Sequence, residues 1–208
     1  EMCIRDRVNG TSEFVNQLAI AITTVIFNRS ALLFAGEDGV AAVSIIMYLQ
    51  FLCIGIYFGF SMGLSTPLGY AYGDRNFSVC RVLEKYAYRF FAIAPIILYG
   101  CTYLLTPIGV RFFASPGSTV FNMAVSGMRL YGLGFLFSGI NIFAAIRMMT
   151  YGKGYISGMI TFLRSFALLL LFLTVLPRFL ELNGIWLAVP AAEILTLIVA
   201  LWTLRKKL

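Results

Sequence analysis

The sequence predicts an all-α membrane protein of six transmembrane helices, and three observations lead there. Hydrophobic residues make up 60% of the chain and charged residues only 12%, whereas a typical soluble domain is about 25% charged. A soluble domain of 208 residues could not hide so much apolar surface, because exposed patches beyond a few hundred Å² are rare in water. The apolar residues also fall in long runs and not in strand-like alternation, so helical spans are favoured over a β-barrel.

A helix needs about 20 apolar residues to cross ~30 Å of hydrocarbon. That rule places spans at about 12–34, 41–66, 88–109, 120–148, 156–176 and 185–204. Residues 1–7 (EMCIRDR) are polar, unlike the apolar run after them, and no signal-peptide pattern is present. They are expected to be an artefact or a truncated tail, so fold reasoning starts at Val8. Gly36-Glu37-Asp38-Gly39 reads as a tight loop after the first span. The second span is expected to end near Thr66-Pro67, followed by a basic connector over 74–89. Ala114-Ser115-Pro116-Gly117 reads as the next loop, with Ser118 or Thr119 capping the fourth span. Gly152-Lys153-Gly154 ends that span, Pro177 stops the fifth, and Arg205-Lys206-Lys207 ends the sixth.

The formal charge of +7 does not indicate nucleic acid, because the bases are interleaved with the spans and never cluster on a soluble face. Their distribution sets an orientation. With the N-terminus inside, Arg5, Arg7, Arg75, Arg81, Lys85, Arg89, Arg147, Lys153, Arg205, Lys206 and Lys207 lie on the cytoplasmic side. Arg29, Arg111, Arg129 and Arg178 lie outside. Both termini are therefore expected in the cytoplasm.

No enzyme signature is present: no P-loop, no GxSxG, no phosphate-binding glycine loop. The four cysteines, Cys3, Cys53, Cys80 and Cys101, form no CxxC pair and there is no histidine. No metal site, cofactor or Cys–His pair is therefore expected.

Ionisable groups inside a membrane are expensive and point to function. Arg164 lies ~12 Å deep in the fifth span at 1.5 Å per residue, and Glu193 lies near the middle of the sixth. The two spans are antiparallel neighbours, so the residues are expected at nearly the same depth. The pair can be a fixed strut, or Glu193 can be a proton or cation site whose charge state moves helices. Pro190 removes a backbone hydrogen bond near Trp186; its kink either serves packing or frees a carbonyl for a cation. Glu13, with Gln17 one turn later, is a first-turn acid favoured by the helix dipole or a carboxylate lining a cavity.

Gly55, Gly59 and Gly63 form a smooth stripe on which another helix can pack. Asn16, Gln17, Asn28, Gln50 and Asn141 are neutral polar groups that must face protein or a wet cavity. Met47, Tyr48 and Phe51 neighbour Gln50, while Tyr131, Phe135 and Phe137 precede Asn141. Such surfaces suit flat cationic ligands as well as ordinary packing.

With these residues in view, the chain resembles the multidrug and toxic compound extrusion (MATE) transporters, specifically their C-terminal six-helix lobe. Pro67-Leu68-Gly69-Tyr70-Ala71-Tyr72-Gly73 is similar to the end of the family's eighth helix. Arg129-Leu130-Tyr131 through Gly139-Ile140-Asn141, ending in Gly152-Lys153, is similar to the tenth. Phe162-Leu163-Arg164-Ser165 resembles the eleventh, and Gly184-Ile185-Trp186 with Pro190-Ala191-Ala192-Glu193 the twelfth. Ser12-Glu13-Phe14-Val15 with Gln17 is similar to the start of the seventh. Ala71, Asp74, Arg147 and Met148-Met149 depart from the family pattern at one end of the bundle.

The resemblance implies one lobe of a twelve-helix transporter of a bacterial or archaeal cytoplasmic membrane, exporting organic cations in exchange for H+ or Na+. Its partners would be those cations, membrane lipid and a missing N-terminal six-helix lobe, without nucleic acid. Glu13, Glu193 and Arg164 become ion-coupling candidates, and Gln17, Gln50, Phe51, Tyr131 and Asn141 cavity candidates. Gly55, Gly59, Gly63, Pro67 and Pro190 become structural or gating candidates. Two other readings are a lipid-linked saccharide flippase of the same superfamily, in which Arg164 faces the cavity, and a six-helix channel or structural subunit.

Overall fold

A computed structural model describes the chain over residues 2–205, with side chains from Leu18 onward except Ile20. Glu13, Asn16 and Gln17 therefore lie outside the described side chains. Every regular element is helical: α1 (Met2–Gly73), α2 (Phe77–Val110), α3 (Thr119–Tyr131), α4 (Phe135–Thr150), α5 (Gly154–Phe162), α6 (Leu168–Val175) and α7 (Pro177–Arg205). A 3₁₀ turn, Gly132–Gly134, joins α3 to α4, and a π segment, Leu163–Ala167, joins α5 to α6. Among the described residues, five helical tracts are long and apolar enough to cross a membrane: Ala21–Gly73, Phe77–Val110, Thr119–Thr150, Gly154–Val175 and Pro177–Arg205.

The first tract is not one rod. Gly36 adopts φ 64°, ψ −154°, and splits α1 into two arms. Only glycine takes up such a conformation without side-chain strain. A β-carbon placed on Gly39 would lie 2.7 Å from the Ala31 carbonyl oxygen. Eight residues of straight helix would separate those positions by ~12 Å, so the chain turns sharply here. The expected four-residue loop is thus a break centred on Gly36.

Other boundaries also differ from the sequence reading. The second arm runs through Pro67 to Gly73, since one missing N–H is tolerated where the surrounding ladder is intact. The connector shrinks to Asp74–Asn76. Asn76 caps α2 by accepting a hydrogen bond from the Val79 N–H at 3.3 Å, so the basic stretch after it is helical. Ser118 caps α3, accepting from the Phe121 N–H at 3.1 Å. Pro177 begins α7, where its missing N–H costs nothing, and that helix breaks again at Glu181 (φ 49°).

The stretch Thr119–Thr150 is the central post, the most buried of the five tracts. Its packing depends on absent side chains. A β-carbon on Gly127 would meet the Trp186 ring and Ile46 at 2.8 Å, and one on Gly139 would meet Phe91 at the same distance. Phe27, Val43, Ile46, Tyr57, Phe91, Met128, Phe135, Phe143 and Trp186 fill the core around this post. A smaller cluster of Leu68, Ala71, Cys80, Met148 and Tyr151 closes one end of the bundle.

The stripe of Gly55, Gly59 and Gly63 is open in this chain. Nothing among the described residues lies within 4 Å of a β-carbon built on any of the three, so no described helix of this chain packs on it. Tyr48, Phe51, Leu52, Ile56, Met62 and Tyr70 are exposed on the same arm.

Candidate charge site in the bundle

Glu193 sits in α7 one turn beyond Pro190 and is 3% exposed. Its carboxylate is held from both sides. Arg164 Nε donates to Oε1 at 2.6 Å, and Asn141 Nδ2 donates to Oε2 at 2.7 Å. The same Asn141 amide also donates to the Glu193 backbone carbonyl at 2.9 Å. A buried carboxylate needs this compensation, because the desolvation of an unpaired charge costs several kcal/mol.

Two of the three helical tracts that reach the carboxylate carry irregular turns. Arg164 lies in the π segment, where the Leu168 N–H donates to the Leu163 carbonyl five residues back. The widened turn leaves the Ser165 carbonyl accessible to the Thr23 hydroxyl, 3.3 Å away on the first arm of α1. The 3₁₀ turn at Gly132–Gly134 lies against Pro190: a β-carbon on Gly134 would sit 3.2 Å from Val189 Cγ1 and 3.5 Å from the Pro190 nitrogen. The Phe135 carbonyl just after this turn accepts from Tyr57 Oη at 3.0 Å. Mid-helix 3₁₀ and π turns often mark hinges and functional sites.

The polar cluster extends toward the second arm. Tyr131 donates its hydroxyl to the Gln50 amide oxygen, and its ring packs on Phe135 with centroids 6.2 Å apart. Gln50, read as a separate polar patch in sequence, is therefore bonded to the same helical tract, 119–150, that carries Asn141. Asn141 Oδ1 is buried and has no hydrogen-bond partner among the described residues. Phe51 is 80% exposed and makes no ring contact with this cluster among the described residues. Tyr48 is likewise exposed and stacks on Phe113, with ring centroids 5.9 Å apart. The aromatic surround expected for Gln50 is thus replaced by Tyr131.

A second buried charge pair lies elsewhere in the bundle, and sequence reasoning missed it. Arg147 Nε donates to Glu84 Oε1, and Tyr151 Oη donates to the same oxygen at 2.7 Å. Arg147 is 2% exposed and Glu84 7%. Arg147 is therefore not a headgroup cation, as its place among the cytoplasmic basic residues suggests, but a link between α4 and α2. Its guanidinium lies 5.0 Å from the Tyr151 ring centroid, and Tyr72 packs on that ring at 4.5 Å. The pair thereby joins the segment 67–73 to the ends of α4 and α2. The signal in sequence was Glu84 as a lone acid amid bases.

An apolar groove between the second arm of α1 and α2, lined by residues such as Leu49, Cys53, Leu98, Thr102 and Met128, contains no charged group and none of the predicted site residues. Among the described residues, no group of three or more Cys, Asp or Glu side chains could hold a metal ion.

Comparisons with known proteins place this architecture. The chain superimposes on a superfamily transporter from Pyrococcus furiosus, described as having a binding pocket of reversed polarity, with TM-score 0.82 and 22% identity. It superimposes on an inward-facing multidrug resistance MATE transporter with TM-score 0.84 and 21% identity. For the Vibrio cholerae MATE transporter VcmN the values are 0.83 and 19%. In each case 93% of this chain is covered, but only 44–45% of the other, so the chain spans less than half the length of those transporters. No curated protein sequence matches. The MatE family model matches residues 14–176. The chain therefore belongs to the MatE family of membrane transporters.

Proposed function

We propose that this chain forms one six-span half of a secondary transporter that exports organic cations in exchange for H+ or Na+, with Glu193 as a charge site of the cycle. The two arms of α1 supply two of the six spans, and a six-span N-terminal lobe completes the protein. The observation that carries this reading is a buried carboxylate held by Asn141 and by Arg164 of a π turn, one turn beyond Pro190, on which a 3₁₀ turn packs. A strut alone does not require a π turn and a 3₁₀ turn beside it.

The chemistry is that of a site with two states. With Glu193 ionised, Arg164 neutralises it and ties the π segment to α7. A proton or cation on the carboxylate competes with Arg164 for the same lone pairs, so each arrival weakens the tie. Asn141 Oδ1 adds an uncommitted acceptor beside the carboxylate, and Pro190 gives the Trp186 carbonyl no N–H from within its own turn. The exposed, glycine-striped arm offers a surface for the other lobe and for the cavity between the lobes.

The flippase reading calls for Arg164 to face the cavity, and its pairing with Glu193 weighs against that. Membership of a transporter family leaves the channel reading without support. By the basic-residue rule, both termini are cytoplasmic and the membrane is the cytoplasmic membrane of a bacterium or archaeon.

The test is gradient-driven efflux of a fluorescent cation by the complete twelve-span protein carrying Glu193→Gln. The reading expects transport to fall at least tenfold while the yield of folded protein holds. Transport falling only in step with folded protein would assign Glu193 to a strut.

A further inference from the structure

The helix α2 sorts its charges by side. Between Phe77 and Val110 it carries one acid, Glu84, and three bases, Arg81, Lys85 and Arg89. Glu84 faces inward, where Arg147 and Tyr151 hold it. The bases recur every fourth residue, so at about 100° per residue they share a face opposite buried Cys80, Glu84, Ala87 and Phe91. All three bases are exposed. Among the described residues the ion pairs are Arg147–Glu84 and Arg164–Glu193, so neither an acid of α2 nor one of its neighbours neutralises the stripe.

Helix length fixes the depth of the stripe. The 34 residues of α2 extend ~51 Å at 1.5 Å per residue, well beyond the ~30 Å of hydrocarbon. The uncharged residues 90–110 account for ~31 Å of that length and fill the apolar layer. Arg81, Lys85 and Arg89 then stand in the headgroup layer. Below them, on the same face and its flank, Ile96, Ile93 and Ile97 are exposed at 67%, 60% and 59%. A column of cations at headgroup depth above a column of open aliphatic side chains has the charge and polarity profile of an anionic amphiphile.

We infer that this face of α2 is a binding site for anionic phospholipid. Arg81, Lys85 and Arg89 hold the phosphate groups, and Ile93, Ile96 and Ile97 lie along the acyl chains. The site is separate from the Glu193 cluster and does not rest on its role.

The experiment reconstitutes the protein in discs of phosphatidylcholine with a minor fraction of phosphatidylglycerol. Mass spectrometry then counts the lipids retained on the protein against the bulk ratio. The unmodified protein should enrich phosphatidylglycerol, and ~1 M salt should abolish the enrichment by screening. At about fivefold per surface cation, R81Q/K85Q/R89Q should lower it at least tenfold. R81K/R89K, which keeps the charge, should retain it, and so should Arg111→Gln at the other end of α2. Unchanged enrichment in the glutamine variant, or equal loss in Arg111→Gln, would overturn the inference. Should the glutamine variant fail to fold, enrichment by the unmodified protein that survives high salt, or is absent at low salt, overturns it equally.

Discussion

Arg164 and Glu193 meet at 2.6 Å, Nε to Oε1, with side chains only 15% and 4% exposed. Arg164 comes from a π turn, and Glu193 from a helix that carries Pro190 three residues earlier. Asn141 takes the second carboxylate oxygen. The negative charge is thus shared by three helical tracts, and removing either donor leaves it under-compensated.

Arg164→Ala is therefore expected to destabilise the bundle by about 3–5 kcal/mol, the usual cost of orphaning a buried charge. Adding Glu193→Gln to it should restore a substantial part of that loss. Thermal unfolding in detergent of the two single variants and the double variant measures the coupling. Additive losses would contradict the pairing.

The Glu84–Arg147 pair makes a parallel prediction at the end of the bundle. Arg147→Met alone is expected to cost about 3–5 kcal/mol by leaving Glu84 uncompensated. The double variant Glu84→Leu, Arg147→Met should be near neutral, because apolar residues of similar volume often replace buried pairs without loss. Tyr151→Phe should cost about 1–3 kcal/mol, as its hydroxyl bonds a charged acceptor. A neutral Arg147→Met would show that the pair is not formed in the folded protein.

The glycines divide by what surrounds them. Gly127→Ala is expected to destabilise by about 1–3 kcal/mol, since the new methyl overpacks against Trp186 and Ile46. Gly59→Ala, which meets open space in this chain, should be neutral or slightly stabilising through helix propensity. Melting temperatures of the two variants separate these outcomes. Equal effects would mean that the central post packs otherwise.

Much of the membrane architecture was legible because length and apolarity are one-dimensional. The Arg164–Glu193 contact was legible as well, since two ionisable residues at matching depths on successive antiparallel helices have few other partners. The neighbourhood of Gln50 was not, because its partner Tyr131 is 81 positions away and local sequence suggested Tyr48 and Phe51 instead. Glu84 and Arg147 were not legible as a pair because charges near helix ends are expected to be solvated, and burial there is decided by tertiary packing. The π turn at Leu163–Ala167 has no proline or glycine to announce it. The Gly55–Gly59–Gly63 stripe has the composition of a contact surface, but its partner is no described part of this chain.

Vesicle efflux by this chain alone tests most directly whether it is half of a transporter. Purified chain, reconstituted and given a proton or sodium gradient, is expected to move a fluorescent organic cation no faster than empty vesicles. Activity should appear when a six-span N-terminal lobe is supplied on the same polypeptide. Robust gradient-driven efflux by the chain alone would contradict the two-lobe reading.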